Sequence, residues 1–429
     1  MLSTVKVFAE PSIARSGTFI ALPRGNMPEG SMKNRVLFQS SCGDLRPMYK
    51  SGVSLHGHTM HSVESLGFLG KFLEERSLLR SWVGVQRERG QRNTGIALDL
   101  HRAHWTPPLC ERQAHELESR QIESLGLRAM VSLSDHDTIK ACALLRQVPE
   151  FQETPVSTEW TVPFGNAIFH IGVHNLPGGI ASLVLADLLD ASKACLDSAV
   201  LDLLMGLSEL PGVLLVFNHP LWNLNGVPPA MFERELIRFL RSANGHLHAF
   251  ELNGMRSYRE NRGVIKLAAE WDQLLISGGD RHGCEPNAAL NLTNATNFSE
   301  FVDEIRNQKQ STILLMAQYQ EHLSWRMYKS FTHVIDHYPE NPEGRRSWDE
   351  RIFHPDLNGE IVPLIGLWHL GPPGFLKKIF ALAILGASLP IPAALTCWSR
   401  GPCEILRSPA GESTGQTGFQ LGSPSSRLR

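Results

Sequence analysis

Hydrophobic and polar positions alternate along the middle of this chain with two different periods. Short apolar runs of strand length recur: "LRAMVSL", "PGVLLVFN", "HAFELN" and "QLLISGG". Between them lie longer stretches whose apolar residues return every three or four positions, the period of a helix face. In "CERQAHELESRQIESLG", Ala114, Leu117, Ile122 and Leu125 fall near one such face, and Gly126 stands where a helix end uses a left-handed residue. Further helices are expected at about 181–207, 229–243, 259–271 and 298–309. Strand and helix in repeated alternation predict an α/β fold, a parallel sheet or barrel clad in helices.

The flanks follow neither period. Residues 1–50 mix Pro, Gly, Ser and Arg and read as a flexible leader, with no charged head and apolar core of a secretory signal. Residues 401–429 are rich in Ser, Gly and Pro and are expected to be disordered. The segment 379–398 carries no charge, and its 20 residues are long enough to span a bilayer. Pro390 and Pro392 interrupt it, so a hydrophobic helix and loop docked on the domain is favoured over a C-terminal membrane anchor.

Composition narrows the classes. The 429 residues are 42% hydrophobic, enough for a large core, and the formal net charge is −2. No basic excess points to nucleic acid as the main partner. A small phosphorylated substrate would need local positive charge from metal ions or a few arginines. The seven cysteines are scattered and contain no C-x-x-C, which argues against a disulfide framework or a zinc knuckle and for a reducing, cytoplasmic setting.

Metal-type ligands cluster where the apolar runs stop. "SLHGHTMHS" carries His56, His58 and His61; "AMVSLS" runs into Asp135, His136 and Asp137. "VSTEW" carries Glu159, "AIFHIGVH" carries His170 and His174, "VLLVFN" runs into His219, and "LLISGG" runs into Asp280 and His282. In parallel α/β folds the carboxyl ends of the strands share one face, where active sites are built. Singly, each residue could be a turn or capping residue. Together they predict one shared metal site of imidazole and carboxylate, a donor set that suits zinc, manganese or iron.

Taken in order, "HGHTMHS", "SLSDHDTI", "STEW" with "FHIGVH", "FNHP" and "GGDRHG" resemble the motifs of the polymerase and histidinol phosphatase (PHP) superfamily over roughly residues 54–284. The resemblance implies a distorted (β/α)7 barrel, here spanning 51–325 with a long insertion at about 65–115 and a C-terminal extension at 326–400. It also implies metal-dependent hydrolysis of a phosphate ester with two or three divalent ions, which supply the attacking hydroxide. By motif position, His56, His58, Glu159 and Asp280 would hold the first ion. Glu159 would bridge to a second with His170 and His219, and His136 and His282 would hold a third. Asp280 and His282 are the candidates for proton transfer, Arg281 and Arg256 for phosphate binding. Asp135 and Asp137 are expected to orient His136, and His61 to stand behind the ligands or touch substrate.

The chain departs from the family pattern in the first motif. Where many members carry an aspartate that binds the third ion, this chain has Val63; either Glu64 beside it substitutes with a longer reach, or the third ion is weakly held or absent. The insertion is read equally as a lid or as a peripheral decoration. Two alternatives keep the metal ligands but change the function: an amidohydrolase-type metal hydrolase, and a non-catalytic PHP-like binding or regulatory module. His333, His337 and His354 are expected to be surface or capping residues.

Overall fold

The computed structural model describes residues 33–66, 101–340 and 345–367, with a few single positions between 84 and 99. All of them belong to the unit spanning Met1–Ile391. Residues 1–32 of the expected leader, most of the insertion, the segment 379–398 and the tail 401–429 lie outside the described residues.

Apolar and polar periodicity resolve into these elements. The strands are β1 (Lys33–Phe38), β2 (Ser51–Gly57), β3 (Glu64–Ser65), β4 (His104–Trp105), β5 (Arg128–Leu133), β6 (Val156–Phe164), β7 (Ala167–Leu176), β8 (Leu214–Asn218), β9 (Ala249–Asn253), β10 (Leu274–Gly278), β11 (Ala289–Thr293), β12 (Gln310–Leu315), β13 (Ile352–Pro355) and β14 (Ile361–Pro363). The α-helices are α1 (Glu111–Ser124), α2 (Lys140–Leu145), α3 (Ala181–Ala194), α4 (Asp197–Glu209), α5 (Pro229–Ala243), α6 (Tyr258–Glu270), α7 (Phe298–Arg306), α8 (Leu323–Ile335), α9 (Trp348–Arg351) and α10 (Leu364–Leu367). Gly126 has φ +74° just beyond α1, as the sequence predicts. The helix expected at 181–207 is two helices, broken at Cys195, whose φ of 51° no continuous helix accommodates.

The strands form three sheets, ordered β1-β12-β11-β2-β5, β10-β9-β8-β7-β6 and β14-β13-β4-β3, none closed on itself. The first two are mixed rather than purely parallel. β6 and β7 are joined by a two-residue turn, Gly165-Asn166, which permits only antiparallel pairing; β7 then pairs antiparallel with β8, and β11 with both its neighbours. β1 corrects the expectation for the leader: residues 33–38 pair in parallel with β12 along their whole length.

The two large sheets touch at both ends. His136 bridges to Glu159 beside β5 and β6, and Gly57 bridges to Arg281 beside β2 and β10. At the second junction the Gly279 N–H donates to the Leu55 carbonyl and the His58 N–H to the Arg281 carbonyl, both at 2.9 Å.

Each strand sorts its residues by face. Val53, Leu55, Val216 and Ile276 join Phe298, Phe301 and Ile305 of α7 in one apolar cluster. Alternate positions are polar and equally buried: Ser54, His56, Ser132, Glu159, His170, His174, Asn218, Glu251 and Ser277. Away from the imidazole cluster some of these polar residues satisfy one another, as where Ser132 Oγ donates to Ser157 Oγ at 2.8 Å and lies 2.8 Å from His174 Nδ1.

His248 offers a test of this packing away from the cluster. Its Nδ1 accepts the Leu215 N–H at 2.8 Å, which requires an unprotonated nitrogen. Burial, with Arg306 and Lys309 nearby, pushes its pKa from 6.5 down to about 3. The unfolded chain therefore takes up this proton first, and the stability His248 contributes is complete above pH 6.5 and lost as pH falls from there toward 3. A His248→Asn chain should lose about 1.4 kcal/mol less stability than the parent between about pH 7.5 and 5.5, measured by urea unfolding at both pH values.

Candidate metal centre

Glu159 sits in the middle of β6 with no exposed surface. Strand alternation turns Trp160 the other way, where its Nε1 donates to the Leu188 carbonyl at 3.0 Å and to Ser192 Oγ at 2.8 Å. The inward carboxylate meets five imidazoles. Oε2 lies 3.0 Å from His56 Nε2, 3.1 Å from His136 Nδ1 and 3.4 Å from His58 Nε2. Oε1 lies 3.1 Å from His170 Nδ1 and 3.2 Å from His219 Nε2, and accepts from Asn218 Nδ2 at 2.9 Å.

A second layer adds two more carboxylates. Asp280 Oδ1 is 3.6 Å from His58 Nε2, 3.8 Å from His56 Nε2 and 3.4 Å from His282 Nδ1. Glu64 Oε2 is 3.3 Å from His136 Nε2, and its Oε1 is 3.2 Å from His282 Nε2. Ligand atoms fall into four overlapping groups: His56/Glu159/His219, His56/His58/Asp280, His136/Glu159/His170 and His58/Glu64/His136/His282. Val63 is 55% exposed, so the position where the family pattern has its aspartate faces solvent and Glu64 enters the cluster instead.

These residues fit bound cations. His56 Nε2, His58 Nε2, His136 Nδ1, His170 Nδ1 and Glu159 Oε2 are all buried without a hydrogen-bond partner. Buried polar atoms left so are costly, and here they converge on shared points, as ligands around an ion do. Charge points the same way. Burial alone would push the carboxyls of Glu159, Glu64 and Asp280 up, yet surrounding imidazoles, joined at Asp280 by Arg256, hold all three well below the usual range. Burial and its neighbours His282 and His136 push His58 down to about 3. Against burial, Glu64 and Glu159 lift His136 to about 10, Glu159 and Glu251 lift His56, and Glu64 lifts His282. Ionised buried carboxylates demand positive charge in their midst, which protons on imidazole or divalent cations equally provide.

The backbone aims these side chains through left-handed residues. His56 (φ 59°), His219 (φ 29°) and Asp280 (φ 54°) turn the chain at or just beyond the ends of β2, β8 and β10. Such values are uncommon outside glycine and gather at functional sites. At His56 the pairing of β2 with β5 slips by one residue, a bulge that re-aims the imidazole. Glu159 and His170 are different. They lie inside long antiparallel strands and not at carboxyl ends, contrary to the expectation from a parallel barrel.

Sequence reasoning missed the groups that hold the ligands. Glu251, buried in β9, places Oε1 2.5 Å from His56 Nδ1 and accepts the His219 N–H at 2.8 Å with Oε2. A lone charge in the apolar run "HAFELN" was the available signal. Asn253 Nδ2 donates to Glu251 Oε2 at 2.8 Å. Ser62 Oγ lies 3.1 Å from His58 Nδ1 and donates to Glu64 Oε1 at 2.7 Å.

Four expected roles change. Asp135 does not orient His136; it accepts the Thr59 N–H at 2.5 Å and the Thr59 hydroxyl at 2.7 Å, fixing the loop that carries His58. Asp137 instead accepts the Thr161 N–H at 2.9 Å. His61 turns to Glu111, 3.0 Å from its Nε2. Arg281 is no phosphate ligand: its guanidinium is buried and donates to Glu118 Oε1, the Gly283 carbonyl and the His58 carbonyl at 2.8, 3.0 and 2.9 Å. Arg256 stays at the edge of the cluster, Nη2 3.3 Å from Asp280 Oδ2 and its guanidinium 3.9 Å from the Trp222 ring centre. Of the remote histidines, His354 is buried and its Nε2 accepts the Asp99 N–H at 2.9 Å, so it is a packing residue.

No family model matches the chain, and no curated protein matches it. Several solved structures resemble it distantly. One, from Bifidobacterium adolescentis, is described as a "putative metal-dependent phosphoesterase": 17% identity, 46% of this chain and 91% of that one, TM-score 0.28. Another, PsfC from Pseudomonas syringae, shows 12% identity over 48% of this chain and 83% of its own, TM-score 0.29.

The Glu251 contacts give a direct test. Glu251→Gln should weaken divalent-cation binding about 10–100-fold, measured by competition with a chromophoric chelator, while the circular dichroism spectrum is retained. Gly278→Ala should do the same, since a Cβ there would overlap Glu251 Oε1 and come within 3.0 Å of His56 Cβ.

Proposed function

We propose that the chain is a metal-dependent phosphoesterase of the PHP superfamily, acting on a small phosphorylated substrate. The observation that carries this reading is the Glu159 carboxylate, with five imidazole nitrogens at 3.0–3.4 Å, two around one oxygen and three around the other. A carboxylate whose two oxygens face separate sets of imidazoles would be placed to serve two adjacent divalent ions. The strand order supports a distorted seven-stranded barrel: β2, β5, β6, β7, β8, β9 and β10 follow one another through the pairings and the two bridges, with β11, β12 and β1 outside the ring.

His56, His58, His136, His170, His219, His282, Glu64, Glu159 and Asp280 are the proposed ligands. Two or three divalent ions (manganese, zinc or iron) held there would neutralise phosphoryl charge and make water nucleophilic near neutral pH. The protein's own groups do the rest. Arg256, pinned between Trp222 and Asp280, offers a fixed positive charge at the edge of the cluster for a phosphoryl oxygen. Asp280 Oδ1 and His282 Nδ1, 3.4 Å apart, are the groups assigned to moving the proton of the attacking water. The walls of buried strands exclude bulk solvent, so each of these charges acts in a low dielectric. A cytoplasmic location accords with scattered cysteines that contain no C-x-x-C, and no helix among the described residues is long and apolar enough to cross a membrane.

Hydrolysis of an aryl phosphate after loading with manganese or zinc tests the reading. His58→Ala and Asp280→Ala should each lower kcat/KM by at least about 100-fold. Parent-like hydrolysis in either variant would sink the mechanism. Val63→Asp should leave metal stoichiometry unchanged, since that side chain faces solvent, whereas Glu64→Gln should lower it, both read by elemental analysis of the dialysed protein.

A further inference from the structure

The group containing Glu64 and His282 is built differently from the other three. Those are assembled from residues on or next to the strands of the two large sheets. Glu64 instead lies on β3 of the small sheet, paired with Trp105 of β4, and Trp105 pairs on its other side with Ile352 of β13. The line Glu64–Trp105–Ile352 thus runs from a candidate ligand to the far C-terminal part of the described chain. Trp105 also brings its ring to 5.7 Å from that of His282. Both ligands found only in this group therefore abut the small sheet.

That sheet has a core of its own. Leu66, Ala103, Ile335, Trp348, Ile352, Leu364 and Leu367 form a separate buried cluster drawn from three distant stretches of chain. Arg345 ties this unit to the ligand loop. Its Nη1 donates to the Met60 carbonyl at 2.8 Å and to Thr106 Oγ1 at 2.6 Å, and its guanidinium lies 4.8 Å from the Phe353 ring centre. The Arg345 carbonyl in turn accepts from Arg351 Nη1 at 2.7 Å. Arg351 has no exposed surface, and its Nε donates to the Val334 carbonyl at 2.8 Å. Met60 lies between His58 and Glu64, so this guanidinium holds a point on the loop between two members of the group.

We propose that Arg345 is a positioning residue for Glu64, and that occupancy of the third cation position depends on the small sheet and the C-terminal segment 345–363. The proposal rests on the reading that the cluster binds cations. It follows that a defect in this unit removes one ion and leaves the pair bridged by Glu159 in place. The family's usual aspartate position is here Val63, which faces solvent. A glutamate one residue later reaches the cluster because β3 is paired, and the pairing partners come from outside the large sheets.

The test is stepwise manganese titration of the full chain, with metal content after dialysis by mass spectrometry and the spin-coupled pair followed by electron paramagnetic resonance. In Arg345→Ala the third step should weaken about 10–100-fold while the coupled-pair signal persists. Arg345→Lys, which keeps a donor but not the stacked plane, should recover part of the loss. Glu64→Gln should reproduce the loss, and the double variant should add nothing to it. Parent-like third-step affinity in Arg345→Ala overturns the proposal, as does a parent chain that takes two ions and no third. A parent chain that binds no cation overturns the functional reading itself. Should Arg345→Ala fail to fold, Thr106→Val decides, because it removes one acceptor only. Selective weakening of the third step supports the proposal; an unchanged third step, or loss of all ions together, overturns it.

Discussion

A carboxylate with no exposed surface and, among the described residues, no lysine or arginine partner is the constraint around which this molecule is built. Isolated in a protein interior, the Glu159 charge would cost several kcal/mol. Here it is met by imidazoles from five places in the chain, His56, His58, His136, His170 and His219. Those residues lie at or near β2, β5, β7 and β8, so satisfying one charge requires the two large sheets to face each other across it. Cations among these nitrogens would make fold and chemistry one problem, since the same charge that catalyses would also hold the sheets together.

The cost of this arrangement is visible in the backbone. His56, His219 and Asp280 adopt left-handed conformations, and β2 bulges at His56. Each such residue costs on the order of 1–3 kcal/mol and persists only where its surroundings over-determine it. Here the surroundings are Glu251, which holds both the His56 ring and the His219 amide, and Gly278, whose missing side chain leaves room for that carboxylate. The apolar clusters on the outer faces of the strands supply the stability that offsets such strain.

The two halves of the cluster stand on different foundations. The three groups without Glu64 rest on the large sheets. The Glu64 and His282 group leans on a small four-stranded sheet with a separate core, assembled from residue 64 onward, 104–105 and 352–363. The segment expected as a C-terminal extension thus pairs through β13 with β4, and the expected insertion contributes β4, which pairs with the strand carrying Glu64.

Much could be read from the residues alone. Alternation of apolar runs with helical periods gave the α/β class and the main helices, because both periods follow from backbone geometry. Ligand types at the ends of successive runs, ordered as in a known superfamily, picked out the residues that the fold brings together. Glu251 was hidden because its role exists only once β9 lies beside His56, and Arg281 looked like a phosphate ligand because sequence does not show that Glu118, 163 positions earlier, captures it. The antiparallel course of β7 and the pairing that carries Glu64 beside β4 and β13 are likewise tertiary decisions. Composition and periodicity determine which face of an element is buried. Only the packed chain decides which buried charges meet, because partners are chosen by distance in space and the chain's own order carries no record of it.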